Sequence, residues 1–309
     1  MKTIVIALGG NAILQSSQKG TSEEQMNNVK KATKNIVRLI KEGYNVVVTH
    51  GNGPQVGNIL LQNIAGKDKV PAMPLDICGS ESQGLIGYMI QQNIKNELKL
   101  IGIEKPVLTV LTQVVVDKND EAFENPTKPV GPFYTKEFAE EGINKGEHWI
   151  EDSGRGWRKV VASPKPVRIV EIESIRTLVN SGAVVISVGG GGIPVIENSK
   201  MLQGIEAVID KDLSSSLLAE LLNADILVIA TDVDKVAINF GKTNQKNLDV
   251  ITIAEAQKYK DEGQFSKSSI GPKVDAAVNF ARSGGNSIIT ALDNLYNAVV
   301  KESGTRFIS

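Results

Sequence analysis

Lys211 stands between two aspartates, Asp210 and Asp212. There a strand-like run (Ile205, Ala207, Val208, Ile209) gives way to LSSSLLAELLNA, in which Leu213, Leu217, Leu218, Leu221 and Leu222 recur at helical spacing. On that pattern Asp212 is the expected N-cap. An ammonium beside the unpaired N–H groups of a helix N-terminus is an arrangement that attracts phosphate. Two further lysines have unusual mounts. Lys128 sits among Pro126, Pro129 and Pro132, which restrict the backbone around it. Lys273 follows Gly271-Pro272 in the first turn of another expected helix, where the dipole disfavours a cation.

Glycine turns close three expected strands: Gly9-Gly10-Asn11, Gly51-Asn52-Gly53 after His50, and the four glycines at 189–192, which include Gly191 and Gly192. A further apolar run, residues 224–230, ends in Thr231-Asp232-Val233-Asp234. Such turns at carboxyl ends of strands bring backbone amides to a ligand, and the Asn52 side chain adds a polar group. Four successive glycines imply backbone lying open to that ligand. Phosphoryl transfer asks a protein mainly for positioning and charge neutralisation, and these parts suit it.

Other chemistries find no support. The glycines at 51, 53 and 57 are spaced one residue too far for a dinucleotide fingerprint, and no GK[ST] follows the run at 189–192. There is no G-x-S-x-G elbow, and two histidines make a histidine triad improbable. His50, at a buried strand end, is expected to be packed and hydrogen-bonded. Cys78 is the single cysteine, so neither an internal disulfide nor a Cys-based metal site is expected, and no protein metal ligand is assigned. With 34 basic and 35 acidic residues the net charge is -1, which points to neither nucleic acid nor an anionic membrane surface. The first apolar run is only residues 4–8, too short for a signal peptide or a spanning helix. A soluble, cytoplasmic protein is the expectation.

The elements that must position these residues alternate along the chain. Strands are expected over 2–8, 45–49, 106–116, 183–188, 224–230 and 287–291, with 304–309 a tail. Helices are expected from a capping box at Thr21 to Gly43, over 76–101 with an apolar stripe that includes Ile77, Leu85 and Ile101, over 169–180, and from Ala254. Residues 117–165 interrupt this rhythm. They hold 18 charged residues in 49, yet also six of the fourteen aromatics, enough for a small core of their own. They are expected to form an inserted lid carrying Lys128.

ALGGNAIL at 7–14, THGNGPQVGN at 49–58, KPVGPFY at 128–134, ASPKP at 162–166, SVGGGGIPV at 187–195, GIEAVIDKD at 204–212, TDVDKV at 231–236 and GPKVDAA at 271–277 resemble, collinearly and across the chain, the carbamate kinases of the amino-acid kinase superfamily. The resemblance implies one α/β domain over 1–309. It would be a three-layer α/β/α sandwich with a mainly parallel open sheet and a protruding inserted subdomain. Segments 1–116 and 166–200 would serve mainly the acceptor, 117–165 the lid and 201–309 the nucleotide. It implies a homodimeric kinase that interconverts ATP plus carbamate with ADP plus carbamoyl phosphate, run toward ATP in arginine fermentation, with Mg2+ held mainly by nucleotide phosphates.

By the same resemblance Lys211 and Lys273 would neutralise the moving phosphoryl group and Asp212 would orient the lysines. Gly9, Gly10, Asn11, Gly51, Asn52 and Gly53 would hold carbamate and that group. Gly191, Gly192, Thr231, Asp232, Val233 and Asp234 would border the nucleotide, together with Lys211 and Lys273. Relatives acting on acetylglutamate or aspartate carry a lysine in the first strand, placed at Leu8 here, and Lys128 would take over its task. Ala237 stands where an aromatic or cysteine is frequent. A kinase of a larger acid and a non-catalytic sensor share the fold; Leu8 with KPVGPFY speaks against the first, and retention of three lysines with Asp212 against the second.

Overall fold

Eight strands build the central sheet, in the order Val250–Thr252, Thr305–Ile308, Asn286–Ala291, Ile226–Thr231, Thr3–Leu8, Asn45–His50, Val184–Ile186, Val107–Thr109. The computed structural model describes residues 1–15, 17–151, 154–266 and 269–309, with the backbone alone at Pro132; Asp152 and Ser153 of the expected insertion therefore lie outside the described residues. Six of the eight strands are parallel, and the two at the carboxyl-terminal edge run opposite to them. Thr3–Leu8 pairs with Asn45–His50 on one side and with Ile226–Thr231 on the other, so the order reverses beside it. The crevice outside the carboxyl ends at such a reversal is where open α/β sheets bind ligands.

Alternation along the first strand sorts its side chains into two cores. Ile4, Ile6 and Leu8 pack with residues of the helices Ser22–Lys41, Leu75–Leu100 and Leu295–Val300. Val5 and Ala7 pack on the other face with residues of Ile172–Asn180, Lys211–Leu221 and Ile270–Arg282. A sheet covered on both faces reads as a continuous apolar run, which is the TIVIAL pattern. Each such large side chain, fully buried, contributes about 1.5–3 kcal/mol. The expected three-layer sandwich is the observed one, and Thr21 and Glu24 form the capping box that starts its first helix.

A second, four-stranded sheet orders Met201–Gly204, Ile193–Asn198, Gln113–Val116 and Pro166–Ile169. Between Gln113–Val116 and Pro166–Ile169 the chain builds the protruding part, where Lys128–Tyr134, Trp157–Val161 and His148–Glu151 make an antiparallel sheet beside the helix Lys136–Ile143. Tyr134 stacks on Phe138 with ring centroids 4.6 Å apart, and Trp149 meets both edge-on at 5.3 and 5.8 Å. These rings supply the small core expected from composition. The joint with the body is close: a Cβ on Gly57 would lie 3.2 Å from the Cα of Gly131.

Several sequence expectations need correction. Residues 106–116 are two strands in two sheets, separated at 110–112, because the chain there leaves one sheet for the other. The helix expected from residue 169 begins at Ile172, after a strand that ends at Ile169. Residues 205–209 form no strand, only a single bridge from Ala207 to Ala162. The final residues are no tail, since Thr305–Ile308 pairs antiparallel with Asn286–Ala291. Ile77, Leu85 and Ile101 are exposed, while Cys78, Ile86, Ile90, Ile94 and Leu98 carry the buried stripe.

The glycines at 189–192 are buried, so the expected open backbone is absent there. Each excludes a side chain for the sake of protein packing. A Cβ on Gly189 would lie 2.4 Å from His50 Nε2, one on Gly190 2.2 Å from Asn52 Nδ2, one on Gly191 2.3 Å from the carbonyl oxygen of Ile209, and one on Gly192 2.2 Å from Val114 Cγ2. Gly191 also has φ +93°. Gly191→Ala is therefore expected to destabilise by about 2–5 kcal/mol, adding backbone strain to overpacking. Gly53→Ala is the control, because nothing lies within 4 Å of its added methyl. Urea denaturation of both variants checks this, and a Gly191→Ala midpoint equal to wild type would contradict it.

Candidate active site

The helix Lys211–Leu221 starts two residues before its expected position, and its N-cap is Asp210. Asp210 Oδ1 accepts from the N–H groups of Asp212 at 2.9 Å and Leu213 at 3.4 Å. Asp212 is thus released from capping, which corrects the sequence expectation. Its carboxylate lies buried between two ammoniums: Lys211 Nζ donates to Oδ1 at 2.5 Å and Lys273 Nζ to Oδ2 at 2.9 Å. Lys128 Nζ donates to Asp210 Oδ2 at 3.1 Å. Lys128, Lys211, Asp212 and Lys273, from three separate parts of the chain, are therefore gathered in one cluster.

Polar residues on the buried face of the same helix set its place against the sheet. Ser214 Oγ donates to the Gly191 carbonyl, and Ser215 Oγ to the Lys211 carbonyl. With the single Ser215 proton so used, Thr49 Oγ1 is the donor in its 2.6 Å contact with Ser215 Oγ. The leucine pattern hid these serines.

The glycine turns reach the cluster from the strand ends. A Cβ on Gly51 would sit 3.4 Å from Lys211 Cδ and 3.6 Å from the Gly10 nitrogen, so the Lys211 stem crosses both turns. Gly10 and Gly53 have open space where a side chain would be. The Asn52 amide donates to Ser82 Oγ at 2.8 Å and packs on Gly190. Gly9 and Asn11 line a cavity of about 260 Å³ with Thr231, Asp232, Ala291 and Asp293, at the ends of three neighbouring strands. Val233 is half-buried in the following turn, and Asp234 accepts from Asn294 Nδ2 at 3.2 Å. Gly191 and Gly192 are packed into protein as described and line no part of this cavity.

Leu8 belongs to the core on the opposite face from the helix Lys211–Leu221. Its neighbour Ala7 faces that helix and lies beside Thr49, which bonds Ser215. A side chain at position 7 thus faces the lysine-bearing helix and one at position 8 the opposite core, because successive strand residues alternate. Ala237 is buried in a two-residue strand paired with Lys246–Asn247.

Burial shapes the charges. It pushes the Lys211 ammonium below the usual lysine range, against the pull of Asp212 and with the repulsion of Lys273 added. Burial alone would raise the Asp212 carboxyl, but Lys211 and Lys273 outweigh it and hold it below the usual carboxylate range. The side chains of Lys211 and Lys273 are 12 and 17% exposed against 36% for Lys128, which leaves Lys128 the freest of the three to move. Among the described residues no group of three or more His, Cys, Asp or Glu could hold a metal ion, and no helix is long and apolar enough to cross a membrane.

The profile of the Amino acid kinase family matches residues 2–291. The chain is 53% identical to the carbamate kinase of Thermococcus kodakarensis over 100% of this chain and 99% of that protein. This protein belongs to the carbamate kinases of the amino acid kinase family. The carbamate kinase of Pyrococcus horikoshii is 52% identical over 98% of both chains. Among solved structures, the carbamate kinase of Giardia lamblia bound to AMP-PNP superposes with a TM-score of 0.95 at 47% identity, covering 99% of this chain and 98% of that one. The family resemblance drawn from the motifs, and the fold it implies, are thereby established.

Two predictions follow from the charges of this carbamate kinase family site. Asp212→Asn leaves two buried ammoniums without their shared counter-charge and is expected to cost about 3–5 kcal/mol in urea denaturation at pH 7. A loss of only a few tenths, the signature of a cap that Asn could replace, would contradict it. His50 donates from Nδ1 to the Gly51 carbonyl, and burial lowers its pKa to about 4, with that bond opposing and Lys211 adding. The unfolded chain therefore takes up a proton near pH 6.5 that the folded chain refuses until about pH 4. Its contribution is complete above pH 6.5 and is lost as pH falls through that window, by about 2 kcal/mol between pH 7.5 and 5. In His50→Gln this part of the pH dependence should vanish; an unchanged slope would show that His50 is not its source.

Proposed function

We propose that this protein catalyses reversible phosphoryl transfer between carbamoyl phosphate and ADP, giving carbamate and ATP. The observation that carries the reading is the pair of lysines held on one buried carboxylate at the carboxyl ends of the central strands. Lys211 and Lys273 neutralise the charge that spreads over the phosphoryl oxygens, and Asp212 keeps both aimed while repelling neither. The N–H groups of Gly10, Asn11, Asn52 and Gly53 receive carbamate and the moving group, while Gly9 and Gly51, whose own N–H groups donate to the carbonyls of Ala230 and Leu8, hold the two turns in place. Thr231, Asp232, Val233 and Asp234 border the nucleotide. Lys128 comes from the protruding part, so closure of residues 117–165 as a lid adds its charge once substrates are bound and excludes water from the transfer.

Magnesium would be carried on the nucleotide phosphates, since hard oxygen donors suit it and the described residues offer it no carboxylate cage. When bound, the ion would offset part of the phosphate charge, and Lys128, Lys211 and Lys273 neutralise the remainder. The protein works in the cytoplasm as a homodimer, toward ATP in arginine breakdown. Support for a dimer comes from exposed Ile77, Leu85 and Tyr88 on one stripe of the helix Leu75–Leu100, next to the edge strand Val107–Thr109. Carbamate kinases at about half identity over the whole chain favour this acceptor over a larger acid.

A coupled assay of ATP formation from ADP and carbamoyl phosphate tests the reading. The wild type is expected to turn over, and Lys211→Ala and Lys128→Ala to lose about 100-fold or more in kcat. Calorimetry of Lys128→Ala should find ADP affinity retained. Wild-type protein that forms no ATP from carbamoyl phosphate, or a Lys211→Ala variant near normal turnover, would contradict the assignment.

A further inference from the structure

We infer that Asp210 is the positioning residue for Lys128, docking the lysine of the protruding part onto the transfer site. The two oxygens of this carboxylate do different things. Oδ1 accepts from the N–H groups of Asp212 and Leu213, which ties the carboxylate rigidly to the first turn of the helix that carries Lys211 and Asp212. Oδ2 then faces away from the helix and accepts from Lys128 Nζ at 3.1 Å, across 82 residues of chain. The cap thus serves as a fixed bracket with a free acceptor.

The bracket matters because of what it joins. Lys128 begins the strand Lys128–Tyr134 of the protruding sheet, whereas Asp210 belongs to the body. A lysine with a partly exposed side chain samples many rotamers, and most of them point away from a site on another part of the molecule. A carboxylate next to Asp212 confines the ammonium beside Lys211 and Lys273, so that a small movement carries it from Asp210 to the phosphoryl oxygens. The Asp-Lys-Asp order places the bracket one residue before Lys211 and the two-lysine holder one residue after it.

The inference rests on Lys128 acting in transfer, and the experiment separates the two. Asn caps as well as Asp but carries no charge, so Asp210→Asn should keep the wild-type thermal midpoint. It should lower kcat about 10- to 100-fold with the KM for ADP within about twofold. Asp210→Ser, another capping residue, repeats the comparison if the Asn variant melts early. In a double-mutant cycle, Asp210→Asn/Lys128→Ala should be no slower than Lys128→Ala alone, because a bracket without its lysine has nothing to position. A kcat within about threefold of wild type for Asp210→Asn, or losses that multiply in the double variant, would overturn the inference while leaving Lys128 in place. Wild-type turnover in Lys128→Ala would sink the reading of Lys128 itself, and this inference with it.

Discussion

One buried carboxylate facing two ammoniums is the constraint on which the rest of the structure depends. Asp212 is 2% exposed, and each of its oxygens is engaged by a different lysine. Charges removed from water are tolerated only when they are closely paired, and removing one partner strands the others. With Lys128 and Asp210 included, the cluster holds three positive and two negative side chains, leaving one excess positive charge. An arriving phosphoryl group completes the balance. Poor solvation of Lys211, visible in its lowered pKa, makes that anion a better partner than it would be in water.

Much of the surrounding fold holds this arrangement by adding directional bonds to apolar packing. The helix under Lys211 packs on the sheet through Leu218 and Ala219, and Ser214 and Ser215 fix its position through Gly191 and Thr49. The glycines at 189–192 let His50, Asn52 and Ile209 approach backbone that a side chain would keep away. The site is paid for in stability, as functional sites with buried charge commonly are, and the two cores on either face of the sheet provide the margin.

Chemistry was legible in the sequence where it depends on residues near each other. Asp210-Lys211-Asp212 marked the start of a helix, the glycine turns and TDVD marked strand ends, and apolar runs located most of the central sheet. What failed needed the third dimension. Placing the cap at Asp212 hid Asp210 as the acceptor for Lys128, because nothing local says that the partner lies 82 residues away. The glycines at 189–192 look alike as ligand loop or as packing spacer, and only the neighbouring side chains distinguish the two. Leu8 and Ala7 are equally apolar, but the strand turns them to opposite faces, so only pairing with Thr49 identifies the one that faces the lysines. The strand Thr305–Ile308 is only four residues long, and so short a run carries little periodic signal.

The most direct test of the central claim is a crystal structure with ADP, magnesium and aluminium fluoride, a mimic of the phosphoryl group in flight. The account predicts Lys211 Nζ and Lys273 Nζ within about 2.7–3.2 Å of the fluoride ligands, with both still bonded to Asp212. A mimic held elsewhere with the Asp212 pairs intact, or Asp212 bound to the magnesium and the lysines swung away, would contradict it.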